Sequence, residues 1–257
     1  MKCRLCNSNC TQLFTAKVLS KYDVKYFSCP NCFLVQTEDP YWLEEAYANP
    51  INSTDIGLLN RNIEFAEKAK ILIYFFFNKE GKFLDYAGGY GVFTRLMRDI
   101  GFDFYWQDPF TKNLFAKNFE YDESQSSIEL VTTFESFEHF VNPIEEISKI
   151  LKFSKNIIFS TNVIPKPIPK PNDWWYYGLE HGQHVSFYSK KTFKFIAKEF
   201  GLNFYSCSKT LHLFTDKKIN KNYYDFVFKK SKYFSKHINK KLNSKTFSDS
   251  RMMIKNN

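Results

Sequence analysis

A chain of 257 residues is long enough to bury one α/β core of ordinary size plus a small appendage. Its 44% hydrophobic and 25% charged residues are those of a globular protein, which excludes a low-complexity or wholly disordered chain. The formal charge of +9 admits nucleic acid, anionic lipid or phosphorylated partners, but the lysine excess gathers after Asp216 rather than around a reading element, so nucleic acid is not the expected partner.

The longest apolar run, Ile71 to Phe77, is too short to span a bilayer. Met1 leads straight into Cys3-Arg4-Leu5-Cys6 without an apolar signal segment, so the expected compartment is a reducing cytoplasm. Cys3 and Cys6, then 22 residues, then Cys29 and Cys32, have the spacing of a four-thiolate zinc site. Each CxxC hook supplies two thiolates to a tetrahedral ion, and the metal stabilises a ribbon too small to fold on core burial alone. Cys10 is an alternative to Cys6 with less favourable spacing. A zinc held by four protein ligands is structural.

Residues 41–56 read as a connector, with turn signals at Asn49-Pro50 and Asn52-Ser53-Thr54. Leu58 to Asn78 has helical periodicity, and Lys82 to Tyr86 reads as a strand. A glycine turn at Gly88 to Gly91 opens a helix over Val92–Ile100, ended by Gly101. Strands follow at 103–107, 128–134 and 156–163, with a helix from Asn142-Pro143 to Lys152. Ser189 caps a helix to Phe200, and 202–208 and 211–215 close the sheet as an antiparallel pair, with Cys207 as a core residue. The alternation predicts a doubly wound parallel sheet.

Leu84-Asp85-Tyr86-Ala87-Gly88-Gly89-Tyr90-Gly91 lies at a strand-to-helix junction, where glycines let backbone approach a ligand and the helix N-terminus adds oriented N–H groups. About twenty residues on, Asp108 ends the next strand, placed to accept from ribose hydroxyls. The Asp85–Gly91 stretch resembles the D-x-G-x-G-x-G motif of class I S-adenosylmethionine-dependent methyltransferases, with Ala87 in place of the first glycine. Leu130 to His139 is similar to their later strand motif. The resemblance implies an α/β, Rossmann-like, seven-stranded methyltransferase sheet with a small N-terminal zinc ribbon. It implies three regions: a zinc module and connector (1–56), the cofactor-binding domain (57–215) and a basic extension (216–257). It also implies that Asp85, Ala87, Gly89 and Gly91 bind the cofactor, with Ala87 and Gly89 at its methionine part. Asp108 is then at the ribose, Phe134 nearby, and Glu120 to Asp122 near the adenine.

Glu135-x2-Glu138-His139 places three potential ligands just after a strand tip, and His184 follows later, with His181 its competitor. Glu135 and Glu138 face one way if the segment turns helically. The cluster resembles the ExxEH metal site of ubiquinone-pathway O-methyltransferases and of small-RNA terminal 2′-O-methyltransferases. Glu135, Glu138, His139 and His184 are thus candidate ligands of a catalytic divalent ion (Mn, Fe, Mg or Zn), which would lower the pKa of an acceptor hydroxyl. The alternative is metal-free, with His139 or His184 as general base and Glu138 beside it.

Between these motifs, Pro165 to Pro171 precede Trp174, Trp175, Tyr176 and Tyr177, aromatic walls for a sugar or nucleobase, or a hydrophobic lid. Together with Gly182 to Tyr188, the zinc knot and the sheet resemble bacterial sugar methyltransferases. The implied reaction is O-methylation of a small, nucleotide-linked sugar precursor of surface polysaccharide. The alternatives are C-methylation of a keto-sugar, 2′-O-methylation of an RNA end, or a binding module without activity. Lys229, Lys230, Lys232 and Lys236 read as a solvated face, with phosphate contact the alternative.

Overall fold

The computed structural model describes residues 1–48, 55–123, 127–206 and 208–256. The connector turns at Asn49-Pro50 and 52–54, and Cys207, lie outside the described residues. In chain order the N-terminal elements are β1 (Thr11–Val18), β2 (Tyr22–Ser28), β3 (Val35–Thr37), α1 (Leu43–Ala46) and α2 (Leu58–Phe76). Next come β4 (Lys82–Tyr86), α3 (Val92–Ile100), β5 (Asp103–Gln107), β6 (Ile128–Phe134), α4 (Pro143–Leu151) and β7 (Ile157–Ser160). The last are β8 (Ser186–Phe187), α5 (Lys190–Glu199), β9 (Asn203–Ser206), β10 (Leu211–Thr215), α6 (Lys221–Lys229), α7 (Ser231–Asn239) and α8 (Thr246–Asn256). The chain divides into two compact units: Met1–Asn52 with Phe134–Lys152 and Phe159–Asp216, and Ser53–Thr133 with Phe153–Ile158 and Lys217–Asn257.

In the first unit the residues between the cysteine hooks form the expected ribbon. β1 and β2 pair antiparallel, with Ala16 opposite Val24 and Val18 opposite Tyr22. Their period-two alternation turns Ala16, Val18, Val24 and Tyr26 inward. β3 extends the ribbon, and β8 closes it: Val35 lies opposite Phe187 and Gln36 opposite Ser186. The sequence reading did not anticipate that last pairing. Elsewhere in the unit Phe137 stacks on Phe159 at 4.2 Å and Phe159 on Phe214 at 4.7 Å. Each such buried ring stabilises by roughly 1.5–3 kcal/mol. Ser189 caps α5 through a reciprocal box with Thr192.

Among the described residues the main sheet has six strands, in the order β5-β4-β6-β7-β10-β9. β4 is parallel to β5 and β6, and β9 is antiparallel to β10, as the alternation predicts. The expected seventh strand is not formed among the described residues. Beside β5 there is one parallel bridge, Trp106 to Glu120, made by Trp106 N to Phe119 O (2.7 Å) and Tyr121 N to Trp106 O (2.8 Å). The cause is local. Asn113 accepts from Ala116 N and donates to Ala116 O and Glu120, and Asn118 takes a left-handed φ of 68°, so the chain is still turning until Phe119. β7 ends at Ser160, short of the expected Val163.

In the second unit Phe83 stacks on Phe104 at 5.1 Å. The basic extension folds as α6 to α8. Val227 and Ile238 cluster with Ile71 of α2. Lys70 is fully buried, and its Nζ donates to Glu67 (2.7 Å), Ser235 (3.0 Å) and Asn239 (2.9 Å). Arg98 donates from Nε and from a terminal nitrogen to Asp249, both at 2.8 Å, and to Asp103 at 2.8 Å. Both members of the Arg98–Asp249 pair are buried. Replacing Asp249 with Ala leaves a buried guanidinium short of its partner, so a loss of about 3–5 kcal/mol is expected in urea unfolding, and Asp249→Asn should lose less.

Candidate active site

In the second unit β4 delivers the chain into a turn that only unusual backbone satisfies. Ala87, Gly89 and Gly91 have φ of 57°, 54° and 83°, all left-handed. Ala87 carries a Cβ into that region at a cost of about 1–2 kcal/mol. Asp85 is buried beneath the turn, accepting from Thr94 (3.0 Å) and Thr132 (2.9 Å). Gly88 is required there, because a Cβ would come within 2.8 Å of the Asp85 carboxylate and 2.7 Å of the Trp106 ring. Asp85 thus props the loop from inside. Burial pushes its pKa up to about 7 against the bonds from Thr132 and Thr94.

Asp108 closes the loop from the other side. It accepts from Gly89 N (2.9 Å), Phe110 N (2.8 Å) and Thr111 N (3.0 Å). A carboxylate has about four acceptor positions, so one remains for a ligand hydroxyl. The Gly89 carbonyl accepts from Trp106 Nε1 (2.9 Å) and Thr111 Oγ (2.8 Å). A Cβ on Gly89 would meet nothing within 4 Å. Gly91 begins α3 with no side-chain cap, and Asp85 takes a backbone hydrogen bond from Thr94 in the helix's first turn. Glu120 accepts from Asn113 at 2.7 Å.

The first unit holds the other two constellations. The sulfurs of Cys3, Cys6, Cys29 and Cys32 lie within 4.8 Å of one another, with Cys3–Cys32 and Cys6–Cys29 both at 3.4 Å. That is too long for disulfides and near the ~3.8 Å edge of a tetrahedron with Zn–S of ~2.3 Å. The hooks are built alike. Asn7 and Phe33, each following the second cysteine, have φ of 58° and 63° and donate to the carbonyls of Cys3 and Cys29. Leu5 N points to the Cys3 sulfur and Cys32 N to that of Cys29. The donor set fits zinc. Cys10 stands outside the group, its thiol pushed up to about 12 by burial.

Glu138, His139 and His184 place one ligand atom each within 4.8 Å of one another. Glu135 is not among them. The helical turn assumed for it starts only at Phe137, and Glu135 sits before it with a left-handed φ of 49°, accepting from Ser160 at 2.6 Å. His181 is also outside the group; its Nδ1 accepts from Gln183 N. Phe134 ends β6, half-buried.

Tyrosines hold the cluster. The Tyr176 hydroxyl donates to Glu138 at 2.5 Å, and the Tyr47 hydroxyl lies 2.8 Å from His139 Nδ1. His184 Nδ1 lies 2.7 Å from the Tyr176 carbonyl, which can only accept, so the ring nitrogen left with a lone pair is Nε2. Burial lowers His184 to about 4 and holds His139 well below the ordinary histidine value, so both rings are neutral, as ligation requires. Three protein ligands of this mixed type fit a divalent ion with coordination positions to spare. Spacing alone could not reveal Tyr47, 92 residues from its partner. The aromatic loop is mostly structural: Tyr176 and Tyr177 are buried in the ribbon core, while Trp175 is 75% exposed.

A sequence profile described as a methyltransferase domain matches residues 59–206. The chain belongs to this methyltransferase family. The enzyme is S-adenosylmethionine-dependent by class, and its Asp85–Gly91 turn with Asp108 fits such a nucleoside. Among solved structures it is similar to an O-methyltransferase family protein from Burkholderia thailandensis, at 13% identity and TM-score 0.47, covering 63% of this chain and 57% of that one. It is also similar to an O-methyltransferase family 2 protein from Planctomyces limnophilus, at 13% identity and TM-score 0.45, covering 68% and 65%. A third is the magnesium protoporphyrin IX methyltransferase of Synechocystis, at 12% identity and TM-score 0.44, covering 68% and 95%. The methyltransferase thus spans less than two thirds of either O-methyltransferase chain. No curated protein matches its sequence.

Two outcomes test the site. The folded chain binds the Asp85 proton more tightly than the unfolded chain, so ionising Asp85 costs stability as pH rises towards 7. Urea unfolding of Asp85→Asn against the parent should therefore shift in favour of the variant by roughly 3 kcal/mol between about pH 5 and about pH 8; a pH-independent difference contradicts this assignment. For the cysteines, metal analysis should find one tightly held zinc per chain, absent from Cys32→Ser. Because β3 pairs with β8, that variant should also shift the imidazole NMR signals of His184.

Proposed function

We propose that this methyltransferase O-methylates a small, nucleotide-linked sugar precursor of surface polysaccharide, aided by a divalent ion. The observation that carries the metal-assisted reading is the convergence of Glu138, His139 and His184, each on a hydrogen-bonded support. An ion held there would act as a Lewis acid, lowering the pKa of the acceptor hydroxyl so that it loses its proton to solvent as its oxygen takes the methyl group and the sulfonium S–CH3 bond breaks to leave the neutral thioether. The chain's own residues do the rest. Asp108 and the Gly89 turn would hold the nucleoside, with Ala87 and Gly89 at its methionine part. Tyr176 orients Glu138, and Tyr47 orients His139, so that neither ligand searches rotamers before reaction. The exposed indole of Trp175 is the aromatic face left to stack on a sugar ring. The four-cysteine site would hold a structural zinc, with no step in the chemistry.

The test is methyl transfer from S-adenosylmethionine to a panel of nucleotide sugars, before and after chelation. Activity should vanish with chelator and return with Mn²⁺ or Fe²⁺. Tyr176→Phe should weaken activation by the ion about 10–100-fold while leaving cofactor affinity intact. Full turnover by chelated enzyme or by Glu138→Gln would sink the metal-assisted reading; a carbon-methylated product formed without metal would point to a histidine base instead.

A further inference from the structure

The distribution of charge is more uneven than the total suggests. Residues 217–257 hold twelve Lys and Arg against two Asp, a net of +10, so residues 1–216 carry −1 between them. Both acids of this segment are already engaged: Asp249 is buried against Arg98, and Asp225 pairs with Lys221. By contrast, Lys229, Lys230, Lys232 and Lys236 are exposed and form no ion pair among the described residues. The helices carrying them are docked on their other side, through Val227, Ile238 and the Lys70 network, so the basic face is presented by a fixed scaffold.

Large apolar groups on the same three helices are also left in solvent. Tyr233 is 72% exposed, Phe247 78% and Ile254 72%, with Phe226 half-exposed beside Phe234. Leaving such groups in water on a folded helix has no packing advantage. Lysines flanking exposed aromatic and aliphatic side chains are the pattern of a helix surface that adsorbs to a lipid interface, where the charges meet phosphate and the apolar groups enter the headgroup region. Aliphatic Ile254 and Met252 favour lipid over single-stranded nucleic acid, since stacking on bases needs aromatic faces. No helix among the described residues is long and apolar enough to cross a membrane, so adsorption is the mode this segment suits.

We propose that α6 to α8 form a peripheral binding surface for anionic membranes, which holds the methyltransferase at the bilayer. The proposal is independent of the acceptor and of the metal reading.

Vesicle co-sedimentation of the full chain tests it, using phosphatidylcholine alone or with about one third phosphatidylglycerol. Binding is expected only to the anionic vesicles, and it should weaken steeply as salt rises from about 0.1 to about 0.5 M. Each lysine at an anionic surface strengthens adsorption roughly fivefold, so the quadruple variant K229E/K230E/K232E/K236E should lose at least about 100-fold, with melting temperature and methyl-transfer activity in solution retained. Tyr233→Ser with Phe247→Ser should reduce the binding that persists at high salt. Equal or absent binding of the parent chain to both vesicle types overturns the proposal, even if the quadruple variant misfolds. So does displacement from anionic vesicles by an equimolar single-stranded oligonucleotide, which would assign the surface to nucleic acid.

Discussion

Two residue pairs, Val35 opposite Phe187 and Gln36 opposite Ser186, make the cysteine ribbon and the segment after His184 parts of one sheet. The histidine's position depends on this constraint. Val185 donates its N–H to the Glu138 carbonyl at 2.8 Å, and its own carbonyl accepts from Thr37 N and from the half-buried Arg4 guanidinium. Arg4 lies between Cys3 and Cys6. A perturbation of the thiolate cluster therefore has a short covalent and hydrogen-bonded route to Glu138 and His184, and the ribbon serves as scaffold for the carboxylate–histidine cluster. The stability of a small ribbon and the placement of Glu138 and His184 become the same physical problem.

The cofactor turn solves a different one. Its backbone N–H groups and carbonyls point inward from left-handed residues and need partners within the loop. Asp108 satisfies three amides, and Trp106 and Thr111 satisfy the Gly89 carbonyl. Asp85 fastens the turn to α3 through Thr94 and to β6 through Thr132. The cost is a carboxylate buried with hydroxyl partners and no cation, so it resists ionisation. A loop held this firmly keeps the space beside Gly89 clear.

Elements with strong local signals were read with near-correct bounds: the 82–86 strand, the 92–100 helix between two glycines, and the Ser189-capped helix. The two CxxC pairs and the Glu138–His139 pair were legible as residue types at short spacing, whereas His184 was chosen over His181 by resemblance, and the structure brings His184 to Glu138 and His139. Glu135 shows where that reasoning stops. Its i, i+3 relation to Glu138 presumed a turn that begins two residues later, and its left-handed backbone sends the carboxylate to Ser160. The seventh strand was implied by resemblance alone, without a position, and among the described residues side-chain bonds of Asn113 keep the chain turning ahead of the single bridge beside β5. The aromatic run after Asp173 carried no mark of which ring faces solvent. Packing assigned Tyr176 and Tyr177 to the ribbon core and left Trp175 outside.

Residue type, spacing and alternation located the glycine turn, the cysteine hooks, the Glu138–His139 pair and the basic character of the last 41 residues, and resemblance to a motif supplied the family. These are properties of short stretches of chain, governed by backbone geometry and donor chemistry that need no distant partner. Tertiary structure alone decided that β8 joins the ribbon, that Tyr176 and Tyr47 meet Glu138 and His139, and that Arg98 and Lys70 dock the C-terminal helices. Each of those contacts joins residues far apart in sequence, and which of many chemically equivalent tyrosines, lysines or aspartates meets a given partner follows from how the elements pack.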